Sequence, residues 1–204
     1  MGLDRTAVVT AALELLDESG LEKLTMRKVA ERLGVQLNTV YWHASSKPRL
    51  LELMADAMLD GCAAEPLPEP WEERARTLAG RYRSALLAHR DGARVVAGTD
   101  VTEDNTLRFA DALTGAFLAG EHDPAEAAWR TWALVYFTLG LVQEEQAADG
   151  TGGGPQALRR AVTAERYPSL AAAVPHFGGF EDRFVHGVGL IVGGRTREPA
   201  RRRV

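Results

Sequence analysis

LTMRKVAERLGVQLNTVYWHASSK, running from Leu24 to Lys47, holds two short helical patterns that meet at Gly34. In the first, Met26, Val29, Ala30 and Leu33 recur at three- and four-residue spacing and form one apolar face, with Arg27, Lys28 and Arg32 turned elsewhere. Thr25 is placed to cap its start by accepting an amide of the first turn. Gly34 supplies the left-handed backbone that a tight exit needs, and Val35 fills the space between the two helices. The second pattern runs from Leu37 to His43, too short to stand alone, with Val40 inward and Asn38, Thr39, Tyr41, Trp42 and His43 on the open face. Two large aromatics side by side cannot both face one core from a helix, so at least one is expected in solvent or against a partner. Two helices joined by a short Gly-containing turn make a helix-turn-helix, whose second helix enters the major groove of DNA.

Charge supports that reading. From Lys23 to Arg49 there are six Lys or Arg (23, 27, 28, 32, 47, 49) against Glu31 alone, a local charge of +5 in a 204-residue chain whose net charge is -4. A basic patch on an otherwise acidic protein is the electrostatic footprint of a nucleic-acid surface. The residues expected at double-stranded DNA are Thr25, Arg27, Gln36, Leu37, Asn38, Thr39, Tyr41, Trp42, His43 and Lys47, with Arg49 as a further phosphate contact.

The remainder reads as helix almost throughout, so the fold class is all-α. Arg5 to Ser19 places Val8, Val9, Ala12, Leu13, Leu15 and Leu16 on a broad apolar face ended by Gly20. Ser46 caps a helix with Pro48 in its first turn, expected to reach about Ala64, where EPLPEP (Glu65 to Pro70) breaks it. Trp71 to His89 follows, then a short helical turn between Gly92 and Gly98, and a helix from a Thr102 cap to about Leu118. Asp123 before Pro124 starts a helix running to Gln146, ADGTGGGPQ (Ala148 to Gln156) reads as a mobile loop, and Phe180 to Val192 is the last helix. The expected organisation is a three-helix DNA-binding domain over residues 1–46, a larger helical ligand-binding and dimerisation domain over 47–195, and a disordered basic tail over 196–204.

Other chemistry finds little support. His89-Arg90-Asp91 matches a kinase catalytic-loop tripeptide, yet the asparagine required five residues on is Val96. Gly150 to Gly154 lacks the Gly-Lys-Ser/Thr of a nucleotide loop, and His122, His176 and His186 have no metal-ligand spacing. Cys62 is a single cysteine with no activating partner, read as a small buried hydrophobe that suits a reducing compartment. MGLDRTAVVT lacks the apolar run of a signal peptide and no 18-residue uncharged stretch occurs, so a cytoplasmic location off the membrane is expected. No catalytic residue, metal or cofactor is expected.

ALELLDESGLEKLTMRKVAERLGV, followed by TVYWH and Lys47, resembles the DNA-binding domain of the tetracycline repressor (TetR) family. ALLAHRDGARVVAGT (Ala85 to Thr99) and FTLGLVQEEQ (Phe137 to Gln146) are similar to the ligand-binding core of the family's namesake, extending the resemblance over roughly residues 4 to 195. It implies a homodimer formed through a four-helix interface by the helices at Asp123 to Gln146 and Phe180 to Val192, with Gly140, Gly187 and Gly189 allowing close approach. Two recognition helices would then meet a palindromic operator. The resemblance also implies that the short helix near Arg94 to Gly98 moves with ligand and displaces the Ser46 to Ala64 helix.

The namesake's magnesium-tetracycline site does not carry over. Ala63 and Val96 stand where its histidines are expected, Leu78 and Ala112 where its amides are, and Tyr82 replaces its phenylalanine, while Thr99 and Glu144 remain. Without an imidazole at 96 the direct magnesium ligand is gone. The cavity expected instead is apolar and aromatic, lined by Leu78, Tyr82, Val96, Phe109, Ala112, Leu113 and Phe117 with Trp132 and Tyr136 nearby, and Thr99 and Glu144 orienting a flat hydrophobic small-molecule effector. Two other readings stand beside it: a DNA-binding dimer without an effector, and a small-molecule-binding protein or enzyme that keeps the fold without operator recognition.

Overall fold

The structure is a computed structural model that describes residues 3–100, 102–121, 123–148 and 154–193. Helix α1 (Arg5–Ser19) starts on Asp4, whose carboxylate accepts the Ala7 amide at 2.8 Å, and ends at Gly20. A 3-10 turn over Leu21–Lys23 leads to α2 (Met26–Leu33), which the Thr25 hydroxyl caps by accepting from the Lys28 amide at 3.2 Å. Gly34 is left-handed at φ 66° and lets the Val35 amide reach back to the Ala30 carbonyl. Then come α3 (Leu37–His43) and α4 (Lys47–Met58), the latter capped by Ser46. α4 stops short of the expected Ala64: residues 59–64 close successive tight turns around Gly61, whose φ of 76° no helix accommodates.

The larger body contains α5 (Trp71–Leu87), α6 (Gly92–Ala97), α7 (Asp104–Ala119), α8 (Pro124–Ala148), α9 (Gly154–Ala161), α10 (Pro168–Ala173) and α11 (Phe180–Gly193). Two further expectations are corrected. α7 is not capped by Thr102: it begins after Glu103, and the Thr106 amide is satisfied by the carboxylate of Asp56 on α4, at 2.9 Å. The expected loop over Ala148 to Gln156 is helical at both ends, because α8 includes Ala148 and Pro155 sits in the first turn of α9, where a missing amide costs nothing. The expected tail at 196–204 lies outside the described residues, as do residues 149–153.

Two apolar cores hold these helices. The first gathers Val8, Leu16, Leu24, Val29 and Val40 from α1–α3 and their links. α4, which the sequence reading grouped with the larger domain, sends Leu50, Leu53, Met54 and Met58 into this same core, and so does Val95 of α6. The second is built on Leu78, Tyr82 and Leu86 of α5, Phe109, Leu113 and Phe117 of α7, Leu134 and Val142 of α8, and Phe184 and Val188 of α11. α6 belongs to both: Ala93 is buried in the second core, Val95 in the first, and Val96 packs against each.

The corner between α5 and α6 leaves no room for a side chain. A Cβ on Gly92 would stand 2.3 Å from the Leu86 carbonyl oxygen, whereas at Gly98 the nearest atom would be 3.5 Å away. Gly92→Ala is therefore expected to cost about 2 kcal/mol or more through forced backbone displacement, and Gly98→Ala less than about 0.5 kcal/mol. Urea denaturation of the two variants checks this; equal midpoints would show that the corner yields.

Candidate nucleic-acid interface and ligand cavity

α2 and α3 present the basic tip. Val40 is fully buried and anchors α3, leaving Trp42 86% and Tyr41 42% exposed beside exposed Gln36, Leu37 and Asn38 and half-buried Thr39 and His43. The aromatic pair thus faces outward, as expected of a helix that meets a partner. Thr25 is exposed too, its hydroxyl oxygen committed to the α2 cap.

The cations of this region divide into two sets. Arg32 pairs with Glu14 and Glu18 of α1, and the Glu18 hydrogen bond is the main cause raising its pKa. Arg49 bridges Glu52 and Glu103, whose hydrogen bonds raise its pKa likewise. Arg49 is therefore corrected from phosphate contact to clamp: its guanidinium joins α4 to the start of α7. Arg27 makes only an exposed i,i+4 pair with Glu31 at 3.0 Å, worth a few tenths of a kcal/mol and easily exchanged for a phosphate. Among the described residues no carboxylate is within salt-bridge distance of Lys28 or Lys47.

The second core opens into a cavity of about 460 Å³ between α6, the start of α7 and the middle of α8. Of the eleven expected ligand residues, Tyr82, Val96, Thr99, Phe109, Trp132 and Tyr136 line it. Leu78, Leu113 and Phe117 are fully buried in packed core, and Ala112 packs against it, because the helices close together one turn beyond Tyr82 and Phe109. Glu144 is corrected as well: it is exposed, lying five residues or about 140° round α8 from the lining Leu139. Leu59, Ala97, Thr106, Leu107, Ala110, Thr131, Val135 and Leu139 complete the wall without having been anticipated. Thr131, Val135 and Leu139 share the helical stripe of Trp132, so its periodicity was the available signal. Among the described residues no carboxylate or imidazole lines the cavity, so this wall does not fit magnesium.

The buried thiol of Cys62 is pushed up to about 11, chiefly by burial, and stays protonated as the sequence reading of an inert hydrophobe requires.

A polar cleft of about 580 Å³ separates the tip from the larger body, and a strap of hydrogen bonds crosses it. Asp17 of α1 accepts the Arg90 amide at 2.9 Å and lies 3.0 Å from His89 Nδ1. Asp91 accepts the Leu21 amide at 2.9 Å, and Arg94 donates to both Asp91 at 3.1 Å and Glu22 at 2.7 Å. Behind the corner, Gln146 of α8 donates to the His89 and Leu86 carbonyls at 2.8 and 3.1 Å and accepts the Ala93 amide at 3.3 Å. The tripeptide that imitates a kinase loop is thus the fastening between the two bodies.

An outward-facing basic bihelical tip joined through a short shared helix to a helical body is the architecture of a DNA-binding regulator. Comparison with known proteins gives the family. Residues 8–54 match the model "Bacterial regulatory proteins, tetR family", and residues 65–197 match "Tetracyclin repressor-like, C-terminal domain". The chain belongs to the tetR family of transcriptional regulators, which are not enzymes. It is 37% identical to the class C tetracycline repressor of Escherichia coli, over 94% of this chain and 90% of the relative. A possible TetR family regulator of Streptomyces coelicolor A3(2) superposes with a TM-score of 0.84 at 44% identity, covering 94% and 98% of the two chains. ActR of Streptomyces coelicolor, solved in complex with actinorhodin, superposes at 0.85 with 25% identity over 95% and 97%. No helix among the described residues is long and apolar enough to cross a membrane.

The strap has a pH signature. Burial alone would raise the Asp91 carboxyl, but the Leu21 amide and Arg94 outweigh it and hold the pKa below its ordinary value. A carboxylate lowered on folding stabilises fully above the ordinary carboxylate range near pH 4 and loses that contribution as pH falls through its folded value. Asp91→Ala is expected to lower stability by about 1–2 kcal/mol at neutral pH, with the deficit shrinking below about pH 4. Denaturation from pH 7 to 3 measures it, and a deficit independent of pH would refute the assignment.

Proposed function

We propose that the chain is a repressor that binds a palindromic operator as a homodimer and is released from it by a small hydrophobic, aromatic effector. The observation that carries this reading is the position of α6, with Val95 in the core of the DNA-binding tip and Val96, Ala97 and Thr99 on the cavity wall. A second link runs from the cavity-lining Thr106, whose amide and hydroxyl both donate to Asp56 of α4 at 2.9 and 3.1 Å. An occupant that shifts α6 or the start of α7 therefore changes what α4 leans on, and α4 carries Lys47 and follows α3 directly. Release requires that the effector bind the non-operator arrangement more tightly, and the operator affinity lost cannot exceed that difference. In this proposal residues 1–46 read DNA and residues 47–195 sense and dimerise.

Dimerisation is supported by the outer face of α8. Trp129 (72% exposed), Trp132 and Tyr136 (64%) recur along it with Ala125, Ala133 and Gly140, and α11 beside it exposes Val185 and Leu190. So continuous an apolar face is unusual on a monomer. Phe137 of the same chain fills the space over Gly187, while Gly140 and Gly189 face open space where a second copy can approach.

Three measurements follow. Sedimentation at micromolar concentration should give a dimer, and a monomer would contradict the interface. Lys47→Ala should weaken all operators and reduce the slope of log affinity against log salt by about 0.9, whereas Asn38→Ala should alter base preference at one position. An unchanged slope for Lys47→Ala would remove its phosphate role. Binding of flat hydrophobic compounds should raise the melting temperature and lower operator affinity together, and a panel that moves neither would favour a dimer without an effector.

A further inference from the structure

The cavity wall has an unusual polar inventory. Among the described residues none of its lining side chains carries a charge. Its three threonine hydroxyls have already spent their protons: Thr99 donates to the Val96 carbonyl at 3.0 Å, Thr106 to Asp56 at 3.1 Å and Thr131 to the Ala127 carbonyl at 2.9 Å. They offer an occupant lone pairs only. Tyr82 is the opposite case. It is 2% exposed and lines the cavity, and among the described residues its hydroxyl makes no hydrogen bond. Burial, with Cys62 nearby, pushes its phenol well above the ordinary value, so at neutral pH it keeps its proton.

The apolar inventory is as specific. Tyr82 lies stacked on Phe109, with ring centroids 4.7 Å apart and planes 20° from parallel, and Trp132 on Tyr136 at 5.3 Å and 23°. Both pairs line the cavity, the first buried and the second exposed. Flat aromatic walls favour a flat aromatic occupant, since offset stacking adds to area burial. A carboxylate or ammonium would lose its hydration there with no opposite charge to meet it. A bare hydrocarbon would cover the Tyr82 hydroxyl and leave a buried donor unsatisfied.

We propose that Tyr82 sets effector specificity, and that the effector is an uncharged planar aromatic carbonyl compound, an aryl ketone or quinone, whose carbonyl oxygen accepts the Tyr82 hydroxyl proton in a hydrogen bond. This deepens the proposed function and rests on its reading of the cavity as the effector site.

The test uses the full chain and three probes of nearly one shape: 9-fluorenone, fluorene, which lacks the oxygen, and 9-fluorenone-4-carboxylate, which adds a charge. Their dissociation constants are measured by equilibrium dialysis on the unaltered protein and on Tyr82→Phe. The variant removes only a hydroxyl without a partner, and its melting curve verifies its fold. The ketone is expected to bind about five- to tenfold more tightly than the hydrocarbon, the ratio expected of one buried hydrogen bond. In Tyr82→Phe that ratio should fall to about one because the ketone weakens while fluorene holds, and the carboxylate should bind at least about tenfold more weakly than the ketone. A ratio that survives in Tyr82→Phe, or a carboxylate that binds as well as the ketone, overturns the proposal while leaving the cavity an effector site. If neither fluorenone nor fluorene binds, the proposal and the cavity reading fall together. The ligand series on the unaltered chain decides the charge and acceptor claims whatever the stability of the variant.

Discussion

The two bodies share the six residues of α6, with Asp56 and Arg49 of α4 fastening the start of α7 beside it. A helix this short has no independent stability, so its position is set by what it touches. Ala93 enters one core and Val95 the other, while Val96 packs on both. Its start is pinned by the close approach of Gly92 to the Leu86 carbonyl and by Gln146, which bonds the corner on both sides. Its start is held rigidly while its end lies on the cavity wall, so one helix of six residues spans the cavity wall and the core of the tip.

Electrostatics sorts the basic residues by task. Arg32, Arg49 and Arg94 are spent on carboxylates of neighbouring elements and serve as fastenings between α1 and α2, α4 and α7, and α6 and the Leu21–Lys23 turn. Among the described residues Lys23, Lys28 and Lys47 have no carboxylate within salt-bridge distance, and Arg27 is weakly held. The +5 of the sequence stretch thus overstates the charge offered to DNA, and the difference is structural. Planar guanidinium groups suit bidentate bridging, and flexible ammonium groups serve where the contact is a point charge.

The sequence reveals what is decided locally. The Thr25 and Ser46 caps, the Gly34 turn, the proline break at Glu65 to Pro70 and the start of α8 after Asp123 all depend on a few neighbouring residues, and each was legible. The α7 cap was not, because Asp56 lies fifty residues from Thr106. Nor was the strap, whose partners Leu21 and Asp91 are seventy apart. The cavity was half legible for a different reason. Helical periodicity says which residues point inward, and Tyr82, Phe109 and Leu113 all do. It does not say where along the stripe opposing helices part, which is why Phe109 lines a cavity and Leu113 fills a core.

That distinction bears on which positions can change while the fold is kept. The packed end of the second core, at Leu78, Leu113 and Phe117, holds α5, α7 and α8 together whatever occupies the open end. Substitutions at the open end meet space rather than neighbours, so they alter the chemistry of the wall at little cost in packing. Val95, Asp56 and Asp91, which tie the larger body to the tip, lie off the wall itself. A wall backed by a packed core and flanked by connectors that do not line it separates the chemistry of the cavity from the contacts that hold the fold together. Of the positions that depart from the magnesium-binding pattern, Val96 lies on that wall, whereas Ala112 packs against the second core and Leu78 belongs to its packed end.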